Sequence, residues 1–349
     1  MNTLGVMTSR IKVPSSYMPY VEVAQDEGFD RTVIFTPDRV DLQKRTISGY
    51  VLENGEWVQQ TVDYPTISFD IGYYHQPRAN VQVRNIKNCT ELPFINYGLG
   101  SKWNMHERLL KVEELQSYLI PTEYATDVST VMKMVDEYQS VMLKPIYGKE
   151  GKGIVRISHA NGNYMLEKGL TKQSFRSVRK LSQQIETILG RRRFLVQRWI
   201  PILNQNGVVF DVRALVQKNK RGKWNVRGTA VREGVKGKIT SNLMDGGYPF
   251  EVVPYLANML GKKKSRKIYR KVKQLSLIVS ERMESLYERR QSQLGIDWGI
   301  DLLGNIHLIE VNIKPGVLPF KQVFGIDTKQ ESIRWPIQYA RFFVRNRRK

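Results

Sequence analysis

Cysteine is nearly missing from this chain of 349 residues: Cys89 stands alone, so no intramolecular disulfide and no cysteine-based metal cluster can form within it. A disulfide-stapled secreted scaffold is thereby excluded, and a reducing interior is the expected setting. Histidine is scarce as well, with four residues, and the few present do not suggest a Ser, His and Asp catalytic set. Long apolar runs are absent: nothing approaches the roughly 18 residues that span a bilayer, and the start of the chain carries no signal-peptide core. A soluble cytoplasmic protein without a membrane span is expected. Repeats and low-complexity tracts are missing too. Acidic residues are in deficit, 33 Asp plus Glu against 55 Lys plus Arg, which leaves a net charge of +22. Such a surplus attracts nucleic acid, anionic lipid or phosphorylated metabolites without choosing among them. What is present, 41% hydrophobic and 10% aromatic residues, is the composition of a folded globular chain.

The first hundred residues read as a small α/β unit, with short strands at Thr32-Val33-Ile34-Phe35 and Thr66-Ile67-Ser68-Phe69 and a hairpin turning on Asn54-Gly55. Helical spacing follows over 103–119 and 128–138, with Pro121-Thr122 between them. A strand at Ser140-Val141-Met142-Leu143-Lys144-Pro145, a glycine-rich turn over 147–153 and a returning strand come next, then a basic helix over 173–189 and a strand at Phe194-Leu195-Val196-Gln197. Beyond these the pattern predicts strands at 209–217 and 224–231, one helix over about 255–293 carrying the strongest charge run (262–273), and a strand, turn, strand over 295–312.

Two segments carry chemistry. In Leu143-Lys144-Pro145-Ile146-Tyr147-Gly148-Lys149-Glu150-Gly151-Lys152-Gly153 the glycines let backbone approach a ligand, and Lys144 can set an ammonium against phosphate oxygens. The loop lies between strands, so it is neither a Walker A sequence nor a dinucleotide fingerprint; an ordinary glycine-containing hairpin is the alternative. Downstream, alternation places Glu310 and Asn312 on one strand face, and the turn at Gly304-Asn305 brings Asp297 and Asp301 alongside. Two carboxylates and an amide oxygen suit Mg²⁺ better than Zn²⁺. The opposite parity of His307 marks it as a packing or surface residue.

Taken together, in this order, these pieces resemble the ATP-grasp superfamily, and within it the YheC/YheD-type endospore coat-associated proteins. The carriers are Ser101-Lys102-Trp103, Pro121-Thr122, Leu143-Lys144-Pro145 with its glycine loop, Val196-Gln197-Arg198-Trp199-Ile200, Phe210-Asp211-Val212-Arg213, Arg232, Ser241-Asn242 and Ile309-Glu310-Val311-Asn312-Ile313-Lys314-Pro315-Gly316. The resemblance implies an α/β fold in which two lobes clasp ATP. An N-terminal pre-grasp domain would occupy 1–100, a central lobe with the glycine flap 101–196, and a C-terminal lobe with the magnesium site 197–349. It implies Lys102 and Lys144 on ATP, a flap including Gly148, Lys149, Gly151 and Gly153, a hinge at Gln197, Arg198, Trp199 and Ile200 meeting adenine, and Asp211 and Asn242 at the nucleotide. Asp297, Glu310 and Asn312 would hold Mg²⁺, with Asp301 in reserve. Arg213 and Arg232 would face the γ-phosphate and a carboxylate substrate, acting in catalysis with Lys144.

The activity implied is amide formation from a carboxylate and an amine at the expense of ATP. An ATP-grasp kinase acting on an anionic molecule and a silent ATP-binding coat protein are the competing readings. Asp70, Tyr73, Tyr74, Arg78 and the loop 242–248 are expected to line the substrate pockets. An anionic spore-coat or other polyanionic partner would suit the basic helices. Because no RNA or DNA module motif accompanies them, specific nucleic-acid binding is not expected.

Overall fold

The computed structural model describes the chain apart from residues 75, 149–150, 317–319, 321–322, 324–327 and 348–349. Three sheets follow one another along it. The first contains β1 (Thr3–Met7), β2 (Arg31–Phe35), β3 (Val40–Asp41), β4 (Thr46–Glu53), β5 (Glu56–Asp63) and β6 (Ile67–Asp70). β1 runs parallel to β2 and β6 on either side of it and is buried along its whole length, so its sequence is a continuous apolar run rather than an alternation. β4 and β5 pair end to end around Asn54-Gly55, both at positive φ, as a two-residue hairpin turn requires. Helix α1 (Met18–Asp26) covers one face and α2 (Pro77–Asn88) the other. The C-terminal helix, Thr328–Arg347, returns to this first sheet: Ile333, Ile337, Ala340 and Val344 form one helical stripe that packs on Leu4, Val6 and Phe69.

Two short helices, α3 (Lys102–Leu109) and α4 (Glu113–Gln116), stand where one helix over 103–119 is predicted. The second sheet is antiparallel, β11-β10-β9-β8-β12-β7 in spatial order, with β7 (Thr122–Ala125), β8 (Ser140–Pro145), β9 (Val155–Ala160), β10 (Asn163–Lys168), β11 (Thr171–Phe175) and β12 (Phe194–Arg198). α5 (Val128–Tyr138) and α6 (Val178–Leu189) cover one face. The predicted basic helix 173–189 thus loses its first residues to β11. That strand pairs with β10, and Ser177 caps α6 by accepting from the Lys180 amide.

The third sheet is also antiparallel, in the order β15-β14-β13-β16-β17: β13 (Phe210–Lys218), β14 (Trp224–Glu233), β15 (Tyr248–Phe250), β16 (Gln293–Ile300) and β17 (Ile306–Asn312). The single helix predicted over 255–293 is two, α7 (Val252–Leu260) and α8 (Lys262–Tyr287), divided by Gly261 at φ +81°. The far end of the predicted helix is β16. Ile268, Val272, Leu275 and Val279 of α8 pack on the sheet around Trp298, whose indole N–H donates to Ser276 Oγ at 2.9 Å.

Candidate active site

A cleft of about 240 Å³ opens between the uncovered faces of the second and third sheets. Strand alternation builds its first wall. Val141 and Leu143 of β8 and Phe194 and Val196 of β12 go to the core under α5 and α6, which turns Met142, Lys144, Leu195 and Gln197 toward the cleft. Lys144 Nζ donates to Gln197 Oε1, and Gln197 Nε2 donates to Thr122 Oγ1 at 2.8 Å, so an edge-strand threonine orients the pair. Burial pushes the Lys144 ammonium down to about 8; Glu310 opposes the fall, Lys102 adds to it, and Asp297 opposes it. Lys102 is the first residue of α3, which Ser101 and Asn104 hold in a reciprocal cap. From there Lys102 Nζ donates to the Gly148 carbonyl at 2.8 Å and pairs with Glu310 Oε1 at 3.0 Å, tying the glycine loop to the third sheet.

Register builds the opposite wall. Asp211 on β13 is paired with Arg232 on β14, Arg213 with Asp297 on β16, and Asp297 with Glu310 on β17, so five charged side chains form a cross-strand array. A bulge follows Asp297, where Trp298 is paired with Leu308 and Ile309 is the extra residue. It reverses the parity of the strand. Ile306, Leu308 and Val311 enter the core, while His307, Ile309, Glu310 and Asn312 line the cleft. The expectation that His307 lies away from Glu310 rested on unbroken alternation, and the bulge corrects it. Gly295 is needed beside Asp297, because a Cβ there would lie 2.8 Å from Pro315 Cβ and 3.3 Å from Arg213 Nη1.

Arg213 holds Asp297 with two hydrogen bonds, one of them Nη2 to Oδ2 at 2.9 Å. Arg232 holds Asp211 bidentately, both at 2.7 Å, and reaches Asp297 Oδ2 at 2.9 Å. Ser241 donates to Asp211 and Asn312 Nδ2 to Asp297 at 3.2 Å. Burial alone would raise the Asp297 carboxyl, but the pull of Arg213 and then Arg232 holds it below its ordinary value. Burial pushes Asp211 up against the pull of Arg232, and the Asp297 charge adds to the rise. The Arg232 guanidinium, opposed by burial, is held charged by both carboxylates. Both arginines, expected to face phosphate and substrate, are therefore engaged with carboxylates in this structure.

The cleft collects Lys102, Lys144, Gly148, Gly151, Gln197, Arg198, Trp199, Ile200, Asp211, Arg213, Arg232, Asn242, Asp297, Glu310 and Asn312. Gly151 closes on the opposite lobe, where a Cβ would meet Thr240 Cγ2 at 3.2 Å. Gly153 packs toward Pro145 and Arg192 and is not among the lining residues, and Lys149 lies outside the described residues. In the segment expected to be a hinge, the amides of Arg198 and Trp199 are committed to the carbonyls of Pro121 and Ser140. Asp301 is not in the cleft. Its carboxylate holds the β16–β17 turn, accepting from the amides of Leu303 at 3.0 Å and Asn305 at 2.8 Å and contacting His307 Nε2 at 3.1 Å. Asp70, Tyr73, Tyr74 and Arg78 lie outside the lining as well. Asp70 is buried between Lys87 at 2.6 Å and Lys314 at 2.8 Å, with the Tyr74 hydroxyl donating to it at 2.9 Å, and it fastens the first sheet to the segment after β17. Thr122, Ser241 and the apolar Ile202 and Ile309 complete the site beyond the residues singled out for it. Strand parity around Lys144 and Gln197 is the signal that would have found Met142 and Leu195, whereas Ser241 and Ile202 lie outside the strands and Ile309 is the bulge residue. No group of three or more His, Cys, Asp or Glu placed to hold a metal occurs among the described residues; the carboxylates lining the cleft are Asp211, Asp297 and Glu310.

A YheC/D-like ATP-grasp family model matches residues 91–343. The chain belongs to the YheC/D-like ATP-grasp family. It is 24% identical over 293 residues to the endospore coat-associated protein YheD of Bacillus subtilis, across 81% of this chain and 64% of that protein, so the match spans less than two thirds of that relative's length. With YheC of the same organism, also named endospore coat-associated, it shares 23% over 329 residues, 90% and 89% of the two chains. Among solved structures, D-cycloserine synthetase DcsG superposes with a TM-score of 0.56 at 10% identity over 99% of each chain. D-alanyl-alanine synthetase A from Vibrio cholerae gives 0.55 at 12%, over 97% of this chain and 98% of that one. This chain therefore has the α/β ATP-grasp fold. No helix among the described residues is long and apolar enough to cross a membrane.

Proposed function

We propose that this YheC/D-like protein is an ATP-dependent carboxylate–amine ligase. In the reaction a substrate carboxylate oxygen attacks the γ-phosphorus of ATP and ADP departs. An amine then attacks the acyl phosphate and expels phosphate, leaving an amide. The reading is carried by the meeting of Lys102 and Lys144 with Asp297, Glu310, Asn312, Arg213 and Arg232 in one cleft. The lysines would neutralise phosphate oxygens in a site shielded from water, where fixed charge contributes most to lowering the barrier.

Asp297, Glu310 and Asn312 offer oxygen donors from adjacent strands, the chemistry that magnesium takes, and so they fit the ion. An ion held there would supply charge neutralisation for the phosphates. Asp297 accepts from Arg213, Arg232 and Asn312, which hold its carboxylate in place in the cleft. The guanidinium groups of Arg213 and Arg232 line the cleft and have the geometry to take a substrate carboxylate bidentately. In this reading Gly148 and Gly151, which line the cleft, belong to a flap that would keep water from the acyl phosphate. Attachment to a spore coat, which the names of the two relatives indicate for them, is part of the same proposal.

The test incubates the protein with ATP, magnesium and a panel of carboxylic acids and amines, measuring ADP, free phosphate and product mass. Equal ADP and phosphate with an amide product is the expected result. A stable phosphorylated product without free phosphate makes the protein a kinase, and no ADP with any acid refutes turnover under this panel.

A further inference from the structure

Asp297, Glu310 and Asn312 line one cleft but are held in three different ways. Asp297 lies on β16, between β13 and β17, and Arg213 and Arg232 fix its carboxylate. Glu310 is paired with Lys102 at 3.0 Å. Asn312 stands at the end of the sheet: it is the last residue of the edge strand β17, and its pairing with Gly295 closes that ladder. Its side-chain amide donates to Asp297 at 3.2 Å, and the chain leaves the strand at the next residue. We propose that Asp70 and Tyr73 of the first unit position Asn312 through Lys314, and that this clasp sets the magnesium affinity of the cleft; the inference rests on the magnesium assignment made above.

The clasp runs in both directions. Lys314 Nζ pairs with Asp70 Oδ2 at 2.8 Å and donates to the Gly72 carbonyl, 5.1 Å from the centre of the Tyr74 ring. In return the Tyr73 hydroxyl donates to the Lys314 carbonyl at 2.7 Å. Side chain and main chain of one residue are thus gripped by the same unit, which fixes the direction of the backbone as well as its place. The gripping end is itself braced. Asp70 closes β6, paired with Met7 of β1, and Asn96 exchanges two hydrogen bonds with its main chain at 3.1 and 2.9 Å. Its carboxylate also takes Lys87 at 2.6 Å and the Gly72 amide at 3.0 Å. Beyond Lys314, Pro315 packs on Gly295, the strand partner of Asn312.

Fastening two units does not call for such a contact. Burying a carboxylate between two ammonium groups carries a desolvation cost, and apolar side chains of the same volume would hold the units together as well. What the charged, hydrogen-bonded contact adds is one permitted geometry. Two residues of chain span at most about 7 Å, too little to absorb a displacement of Lys314 before it reaches Asn312. Asp70, Tyr73 and Lys314 are all outside the cleft lining, so they act on the site by placing Asn312 rather than by touching a ligand.

The experiment is calorimetric titration of the full chain with ADP, in excess magnesium and again in EDTA, the ratio of the two affinities being the magnesium enhancement. Lys314→Met keeps the aliphatic stem, leaves Asp70 paired with Lys87, and is expected to lower the enhancement about tenfold. Tyr73→Phe removes only a hydroxyl, from a residue 46% exposed, and should lower it about threefold. Affinity in EDTA equal to the parent's shows that each variant keeps a folded cleft. A contact that merely stabilised the fold would lower the melting temperature without moving the ratio. Asn312→Ala isolates the route: in that background Lys314→Met should cost nothing further. The clasp's role is overturned if Asn312→Ala lowers the enhancement while Lys314→Met and Tyr73→Phe do not, or if Asn312→Ala and Lys314→Met are fully additive. An enhancement unchanged by Asn312→Ala overturns the magnesium assignment itself, and the role of the clasp with it.

Discussion

Discharging Lys144 is the sharpest perturbation the cleft offers, and pH does it without mutation. Its ammonium is pushed down to about 8, chiefly by burial, from an ordinary 10.5. The charged fraction then falls from about nine-tenths at pH 7 to about one-tenth at pH 9. If only the charged form grips the phosphates, nucleotide affinity falls about tenfold, or about 1.4 kcal/mol, over that range. Linkage requires the converse: a bound triphosphate raises the lysine pKa, so nucleotide binding near pH 8 takes up protons. Folding carries the opposite sign to a paired lysine. Between about 8 and 10.5 the unfolded chain binds the extra proton, so the penalty that Lys144 imposes on the fold below about 8 disappears as pH rises through that window. Calorimetric ADP titrations at pH 7, 8 and 9, repeated in buffers of different ionisation enthalpy, read both affinity and proton uptake. Lys144→Arg, whose guanidinium stays charged throughout, should abolish the fall. A parent affinity that is flat from pH 7 to 9, or an equal fall in Lys144→Arg, refutes the reasoning.

Asp297→Asn takes the negative charge from between Arg213 and Arg232. Arg232 retains Asp211, whereas Arg213 is left buried against a neutral amide, and a loss of about 3–5 kcal/mol is expected in chemical denaturation. Gly295→Ala drives a methyl against Pro315 and Arg213 and should cost about 1–3 kcal/mol while weakening nucleotide binding, measured by melting with and without ADP. Burial opposes ionisation of Asp70, but Lys87 and Lys314 hold its carboxyl below the ordinary value. The resulting stability is present above the ordinary carboxylate pKa and is lost as pH falls through the depressed folded value. Asp70→Asn should therefore lower stability at pH 7 by about 3 kcal/mol and flatten the acid limb of a stability-versus-pH profile. An unchanged acid limb counts against that assignment.

Much of this site was legible because its signals are local. Lys144 and the glycine loop sit on a hairpin whose strands alternate cleanly, and Glu310 and Asn312 share a strand face within three residues. What failed was whatever depended on partners distant in sequence. β11 has four exposed residues of five and becomes a strand only by pairing with β10. The bulge at Ile309 arises from matching β17 to β16, and nothing in the sequence of β17 alone discloses it. The engagement of Arg213 and Arg232 with Asp297 depends on the register of three strands spanning residues 211–297. The Asp70–Lys314 contact joins residues 244 positions apart, so Asp70 was read as pocket lining when it fastens one sheet to the segment beyond another. Gly261 divided a helical pattern that hydrophobic periodicity carried straight through, because the apolar stripe resumes on α8 after the break.

The fate of one oxygen atom tests amide formation through an acyl phosphate most directly. With a turned-over acid labelled with oxygen-18 in its carboxylate, unlabelled ATP, magnesium and the amine, mass analysis of the released phosphate reads which bond formed. One labelled oxygen in each phosphate, with the remaining label in the amide, is the predicted result. Phosphate free of label, or label retained entirely in a phosphorylated product, contradicts it.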